Sequence, residues 1–394
     1  MIRENAKYPV PVALINDSIT PYRLNLHSRM AREMAGFQFW SLFTHEVSNS
    51  PWRLNVPSDI RPVFFGPGEQ SLRSHALLAQ YHEWAKAGAI LRWMKHQQIQ
   101  AVVLGGYSDV GRLRILWQCW RRRLPCLLFG DSNIHCDNAS GWRRRLKKIL
   151  LPFVLSHCSG ILCCGRFGEK YFLRYGVPAE RIFRFPYEPD YDQIRNARIE
   201  TIAAVRQAHH LGPERKYLIY SGRLVALKRV DLLIVAFSRI APARPDWDLI
   251  VAGDGGEQVA LKSLVTADIS RRVIWTGFIN APEKLAALYN IADILVLPSD
   301  YEPWGVVVTE GAVRMPVVAS SVCGAAADVI IDGANGRIFE TGDLESLAGC
   351  LLDATDPARL AAMTAAAPAQ FAKWHEDSDP IKGLRAALSA IESL

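Results

Sequence analysis

No stretch of this chain approaches the roughly 20 consecutive apolar residues that a bilayer-crossing helix needs. The opening M-I-R-E-N-A-K-Y-P places a charge, an acid and a proline where a secretory leader requires an apolar core, so a cytosolic protein is expected. There is no C-x-x-C pair. Cys119, Cys126, Cys136, Cys158, Cys163, Cys164, Cys323 and Cys350 mostly sit among apolar neighbours, which favours buried free thiols over disulfides or zinc ligands. A dinucleotide fingerprint is missing too, since Gly253-Asp254-Gly255-Gly256 does not supply the Gly-x-Gly-x-x-Gly spacing. The chain carries no internal repeat, no low-complexity tract beyond an Ala-rich 361–369, and no nucleic-acid-binding signature, so nucleic acid is not expected as a partner.

What is present suits a two-domain globular protein. The chain has 394 residues, 49% apolar and 22% charged. Its net charge of +7 is unevenly spread: residues 1–200 hold 28 Lys and Arg against 16 Asp and Glu, and the remainder is mildly acidic. A basic half implies an anionic partner. Arg121, Arg122 and Arg123 end a helix whose other face reads I-L-W-Q-C-W. Trp142-Arg143-Arg144-Arg145-Leu146-Lys147-Lys148-Ile149-Leu150-Leu151 sets five cations beside bulky apolar residues. Both stretches suit an anionic membrane surface; a solvated basic helix face is the plain alternative.

The chain is organised around 291–335. Ile291 to Leu297 reads as a buried strand ended by Pro298, Ser299 and Asp300. Glu302 lies in the following loop and Gly305 opens a helix. Glu310 lies about two turns along from Glu302, and Met315-Pro316 stops the helix before the strand V-V-A-S-S. Loops at strand carboxyl ends are where open α/β sheets bind ligands. The amides of Trp304, Gly305 and Val306 can face a phosphate, and two carboxylates can accept hydrogen bonds from hydroxyls at both ends of a polyhydroxylated molecule. A nucleotide-sugar is such a molecule. Upstream, the strand Y-L-I-Y leads into Ser221-Gly222-Arg223 and a helix beginning near Lys228. A strand ending at Gly253 and another ending at Gly277-Phe278-Ile279 follow.

The first half starts with a strand, Val10 to Ile15, a loop through Tyr22 and Arg23, a helix over about 24–35 and a second strand, the opening of a doubly wound sheet. Arg23 can fork onto an anion or serve as a surface ion-pair residue. The polar stretch 50–75 reads as a loop that shapes an acceptor site, followed by a helix over 76–96. Two buried strands end at Tyr107-Ser108-Asp109 and at Asp131-Ser132-Asn133, with His135 close behind.

Glu302-Pro303-Trp304-Gly305-Val306-Val307-Val308-Thr309-Glu310 resembles the E-x7-E signature of retaining glycosyltransferases of the GT-B fold, family GT4. The resemblance is strong over about 217–345 and moderate over the first half. It implies an α/β protein of two doubly wound Rossmann-like domains facing across a cleft. Residues 1–205 would bind the acceptor and 206–370 the nucleotide-sugar, with 371–394 a helix crossing back to the first domain. It also implies roles. Arg223 and Lys228 hold the donor diphosphate, Glu302 the sugar hydroxyls and Glu310 the ribose. Gly222, Gly253, Trp304, Gly305 and Val306 line the donor, and Phe278 and Ile279 reach the base. Asp131 stands where the family often has a cleft histidine, and is counted with Arg223, Lys228 and Glu302 as catalytic. Tyr22, Arg23, Tyr107 and His135 are expected on the acceptor side. T-P-Y-R replaces the family's frequent Gly-rich first loop, and Tyr187-Glu188-Pro189 its usual Asn-Gly-Val. Asp190 and Asp192 lie in a linker and are not read as a metal site; neither metal nor cofactor is expected.

The expected reaction is sugar transfer with retained anomeric configuration, most readily from a UDP- or GDP-sugar. The acceptor would be a hydroxyl of a saccharide or lipid-linked saccharide, in bacterial surface polysaccharide or glycolipid biosynthesis. Peripheral attachment at the inner face of the plasma membrane is left open. The competing readings are a nucleotide-sugar epimerase or sugar-phosphate synthase on the same fold, or a non-catalytic membrane-associated binding subunit.

Overall fold

The computed structural model describes residues 9–46, 52, 54–66, 68 and 77–392. The chain divides into two compact units, 1–189 with 378–394, and 190–377; the expected divisions were at 205 and 370.

The first unit holds a parallel sheet of β1 (Val10–Asn16), β2 (Phe37–Phe43), β3 (Pro62–Phe64), β4 (Ala101–Gly105), β5 (Cys126–Gly130), β6 (Gly160–Cys163) and β7 (Ile182–Arg184) in the order β3-β2-β1-β4-β5-β6-β7. Runs such as A-V-V-L and C-L-L-F are buried along their whole length, as strands covered by helices on both faces must be. The first helix spans Pro21–Glu33, three residues earlier than the periodicity predicts, because Pro21 is pre-set for a helix's first turn. The helix Pro380–Glu392 also belongs to this unit and packs on β6 and β7. It lies so close that a Cβ on Gly383 would stand 1.7 Å from the Arg184 carbonyl oxygen. Arg29 ties the same helix to the sheet side, pairing with Asp379 at 3.2 Å and Glu188 at 2.6 Å.

The second unit repeats the plan with β8 (Lys216–Ser221), β9 (Trp247–Ala252), β10 (Val273–Gly277), β11 (Ile294–Leu297), β12 (Val317–Ser320) and β13 (Gly336–Phe339), all parallel, in the order β10-β9-β8-β11-β12-β13. The chain leaves β8 toward one edge, then returns to build β11 on β8's other side. That reversal opens a crevice at the carboxyl ends of β8 and β11, the place where such sheets take ligands. In the first unit the equivalent reversal lies between β1 and β4.

All eight cysteines are free and buried. No helix among the described residues is long and apolar enough to cross a membrane.

Candidate functional site

At the end of β8 the chain makes a turn in two steps. Ala226–Lys228 is a single 3-10 turn and Arg229 adopts a left-handed φ of 50°, so the helix begins at Val230 rather than at Lys228. This geometry points Lys228 and Arg229 at the loop leaving β11. Lys228 Nζ ion-pairs with Glu302, and Arg229 with Asp300 at 2.8 Å. The Asp300 amide donates to the Leu227 carbonyl at 3.0 Å. Residues more than 70 positions apart in sequence are thus joined by one backbone and two charge contacts.

Glu302 is buried, and the Ser299 hydroxyl donates to its Oε2 at 3.2 Å. A buried carboxylate needs such partners, and Lys228 and Ser299 supply charge and hydrogen bond together. Ser299 is held in turn: its carbonyl accepts from the Ser320 hydroxyl at 2.6 Å. Arg223 contrasts with Lys228: it is exposed, its carbonyl accepts from the Tyr220 hydroxyl at 2.7 Å, and its guanidinium has no hydrogen bond or ion pair among the described residues. The crevice therefore has two cations fixed beside carboxylates, Lys228 and Arg229, and one, Arg223, whose side chain is uncommitted among the described residues.

Gly305 turns the loop into the short helix Val306–Ala312 at φ +90°; a Cβ there would lie 2.7 Å from Cys323 Sγ, so only glycine fits. The Trp304 carbonyl accepts from the Ala325 amide at 2.7 Å, which fixes the loop from below. The Trp304 side chain is buried, 6.1 Å from the Trp374 ring. Among the described residues the amides of Trp304, Gly305 and Val306 find no backbone acceptor, as a ligand-facing loop requires.

Glu310 accepts a hydrogen bond from the Tyr289 hydroxyl at 2.7 Å. Burial raises its carboxyl to about 7, with the Tyr289 hydroxyl pulling weakly the other way. Gly253, which follows β9, packs on Gly222: a Cβ on Gly253 would stand 1.8 Å from the Gly222 carbonyl oxygen. The Leu224 amide donates to Asp254 at 2.8 Å, so the two turns are zipped together. Phe278 and Ile279 follow β10 at the sheet edge and are half-buried. Arg223, Lys228, Glu302, Gly222, Gly253, Gly305 and Glu310 thus all belong to the carboxyl-end turns of neighbouring strands or the helix that follows them. Sequence reasoning missed Arg229, Tyr289 and Ser299. The first two carried no pattern, and Ser299 was visible only as a turn-former.

In the first unit, Asp131 is exposed at the end of β5 and accepts from the buried Tyr187 hydroxyl at 3.2 Å. Tyr22 meets Tyr187 edge-on at 4.7 Å. Arg23 donates to the Ser18 carbonyl at 2.7 Å, so part of its fork is spent on its own loop. Tyr107 bonds the Tyr171 hydroxyl at 3.0 Å and the Ser132 hydroxyl at 3.3 Å, and burial raises its phenol. His135 is exposed and packs edge-on against Phe167 at 4.5 Å. Asp190 caps a helix by accepting from the Gln193 amide, and Asp192 pairs with Arg195. Among the described residues no three His, Cys, Asp or Glu are grouped to hold a metal ion. Of the 50–75 stretch, residues 50–51, 53, 67 and 69–75 lie outside the described residues; the rest includes the turn Ser58–Ile60 and β3.

The basic stretches lie on Val110–Arg121 and Gly141–Ser156. Arg121, Arg122, Arg123, Arg143, Arg144, Arg145 and Lys148 are exposed. Lys147 departs from the expected set: it pairs with Asp137 at 2.6 Å and lies 5.1 Å from the centre of the Tyr171 ring, so it is a structural cation.

Residues 202–366 match the model of the family described as glycosyl transferases group 1. The chain is 31% identical to alpha-D-kanosaminyltransferase of Streptomyces kanamyceticus over 53% of this chain and 55% of that protein. It is 34% identical to the GDP-mannose-dependent monoacylated alpha-(1-6)-phosphatidylinositol monomannoside mannosyltransferase of Corynebacterium glutamicum, over 39% of this chain and 42% of that one. The chain spans about half the length, or less, of these curated relatives. Among solved structures, sucrose-phosphate synthase from Thermosynechococcus elongatus superposes with a TM-score of 0.76 at 20% identity, covering 97% of this chain and 99% of that one. Anabaena HepE in complex with UDP and glucose superposes at 0.69 and 18% identity, covering 98% and 100%.

Proposed function

We propose that this protein is a retaining GT4-type transferase, because residues 202–366, within the second unit, match the model of the glycosyl transferases group 1 family and the chain folds as two parallel-sheet Rossmann-like units of the GT-B fold. In this reading it moves a sugar from a UDP- or GDP-sugar to a hydroxyl of a saccharide or lipid-linked saccharide. The observation that carries the reading is the crevice between β8 and β11, with Lys228 fixed on Glu302, the Arg223 side chain uncommitted among the described residues, and Glu310 on the helix that follows the Glu302 loop.

Arg223 and Lys228 take the diphosphate, whose negative charge grows as the anomeric C–O bond breaks. The Trp304, Gly305 and Val306 amides face the same phosphate and the sugar. Glu302 accepts from sugar hydroxyls while Ser299 holds it in place, and Glu310 accepts from the ribose. Gly222 and Gly253 leave the backbone open for close approach, and Phe278 and Ile279 border the base. The acceptor oxygen bonds to the anomeric carbon on the face the diphosphate leaves, and the acceptor's proton passes to a departing phosphate oxygen. Neither carboxylate is a nucleophile. Tyr22, Arg23, Tyr107, Asp131 and His135 serve the acceptor, and no metal or cofactor is assigned. A GDP-sugar is favoured by the name of the Corynebacterium relative and a UDP-sugar by the HepE complex. The exposed cations of 121–123 and 143–148 support attachment to the anionic inner face of the plasma membrane, at about 1 kcal/mol per cation near the surface.

A thermal-shift screen against UDP, GDP, ADP and dTDP, each with its common sugars, tests the donor assignment. One nucleoside diphosphate and its sugar should raise the melting temperature selectively, and transfer with that sugar should follow. Absence of any shift rejects the donor site; a shift without transfer or hydrolysis marks a binding subunit instead.

A further inference from the structure

Neither 110–123 nor 141–157 contains a carboxylate. On the second helix Trp142 (70% exposed), Leu146, Ile149 (70%), Leu150 and Phe153 (59%) are left in solvent. At 3.6 residues per turn these five fall within about 100° of the circumference, with Arg143 and Arg145 on its two sides. An ordinary amphipathic helix of a globular protein buries such a stripe. This helix already buries Leu151 and Leu155 on its opposite side, so among the described residues its second apolar face lacks a protein partner.

The stripe runs into a groove. Phe153 belongs to both: with Val110, Leu113, Trp117, Trp84 and His157 it lines a cavity of about 460 Å³. The walls are ordered by ring contacts. Trp120 meets His157 at 4.6 Å, Phe153 meets His157 at 4.5 Å, and Arg114 stacks on Trp84 at 4.5 Å while donating to the Trp84 carbonyl at 2.6 Å. Arg114 therefore stands as a cation in the wall of an otherwise largely apolar slot, with Arg121, Arg122 and Arg123 at the end of the same helix.

We propose that this groove seats a hydrocarbon chain of an anionic lipid, drawn out of a bilayer on which the 142–153 stripe lies. The proposal rests on, and deepens, the membrane attachment stated above. Charge decides the occupant. The nearby carboxylates Asp109 and Asp137 are spent on Arg112 and Lys147, and the exposed cations of the two carboxylate-free segments fit lipid phosphate; a continuous apolar stripe leading into a slot fits a chain, and tryptophans favour the level of the headgroups. The volume falls in the roughly 300–1,000 Å³ of small-molecule sites.

The test uses the full chain with vesicles of phosphatidylcholine and phosphatidylglycerol, the latter carrying a photoreactive diazirine on its acyl chain. Covalent label is expected on Leu113, Trp117 or Phe153. Leu113→Glu, a change at a residue 38% exposed, should lose that label and weaken vesicle partition at least tenfold, with its donor-induced thermal shift intact as the folding control. Label confined to Trp142, Ile149 and Leu150, with Leu113→Glu partitioning like the parent, overturns the groove and leaves surface attachment standing. No cosedimentation of the parent with these vesicles removes the attachment and the groove together. Equal binding to pure phosphatidylcholine refutes the charge argument for the occupant.

Discussion

Replacing Glu310 by Gln should make the ligand-free protein more stable and the donor complex weaker, in one substitution. The Glu310 carboxyl stands at about 7 against an ordinary 4.5 because burial penalises its charge. Between those values the folded state holds a proton that the unfolded chain has released, so this group's contribution to stability falls as pH rises through that window and is flat above it. At 1.36 kcal/mol per unit the full penalty is roughly 3 kcal/mol; because the residue is only half-buried, roughly 1–3 is the working range. Gln cannot ionise, so near pH 8 the variant should melt a few degrees higher than the parent, and near pH 4.5 the two should coincide. Donor binding runs the other way. Only the carboxylate form accepts from both ribose hydroxyls, so parent affinity should rise about tenfold from pH 6 to pH 8, while the variant stays flat and roughly 10–100-fold weaker at pH 8. Calorimetric unfolding and titration with the selected nucleotide-sugar, each at three pH values, read both effects. Parallel unfolding curves for parent and variant across pH would refute the claim that burial raises this carboxyl. Unchanged affinity would refute its contact with the donor.

Lys228→Ala should lower kcat/KM by roughly two to four powers of ten, the cost of losing a charge partner to the leaving diphosphate, in steady-state transfer assays; a folded variant with full turnover removes the role. Arg223→Ala should separate binding from folding. The Arg223 side chain has no hydrogen bond or ion pair to lose among the described residues, and the Tyr220 hydroxyl bonds only the Arg223 carbonyl, so stability should stay within about 0.5 kcal/mol of the parent, while affinity for the nucleoside diphosphate falls roughly 10–100-fold by calorimetry. Gly253→Ala drives a methyl against the Gly222 carbonyl 1.8 Å away. It should cost about 1–3 kcal/mol or more and lower the melting temperature without any ligand present; a neutral result would mean that the two turns are not in contact.

Much of the second unit was legible because its signals are local. Buried strands show as apolar runs closed by turn-formers, Gly305 marks a conformation that only glycine fits, and Glu310 falls on the helix after the Glu302 loop, although that helix begins only at Val306 and the two acids are not two helical turns apart. The first unit was harder to read. Its Tyr187, Tyr22 and Asp131 come from three different elements, and neither their hydrogen bond nor their ring contact follows a spacing. The five-cation stretch shows the same limit. Sequence counts Lys147 with its neighbours, whereas the fold brings Asp137 and Tyr171 to it and leaves the others in solvent.

By itself, then, the sequence determined which residue types close each strand, and so which turns can meet a phosphate or a hydroxyl. Pairing was decided only by tertiary structure. The reversal of strand order set β11 beside β8, and that adjacency brought Lys228 to Glu302. Burial behind the same turns moved the Glu310 carboxyl to about 7. Strand order and desolvation are properties of the assembled sheet, since each depends on elements that no window of the chain contains together.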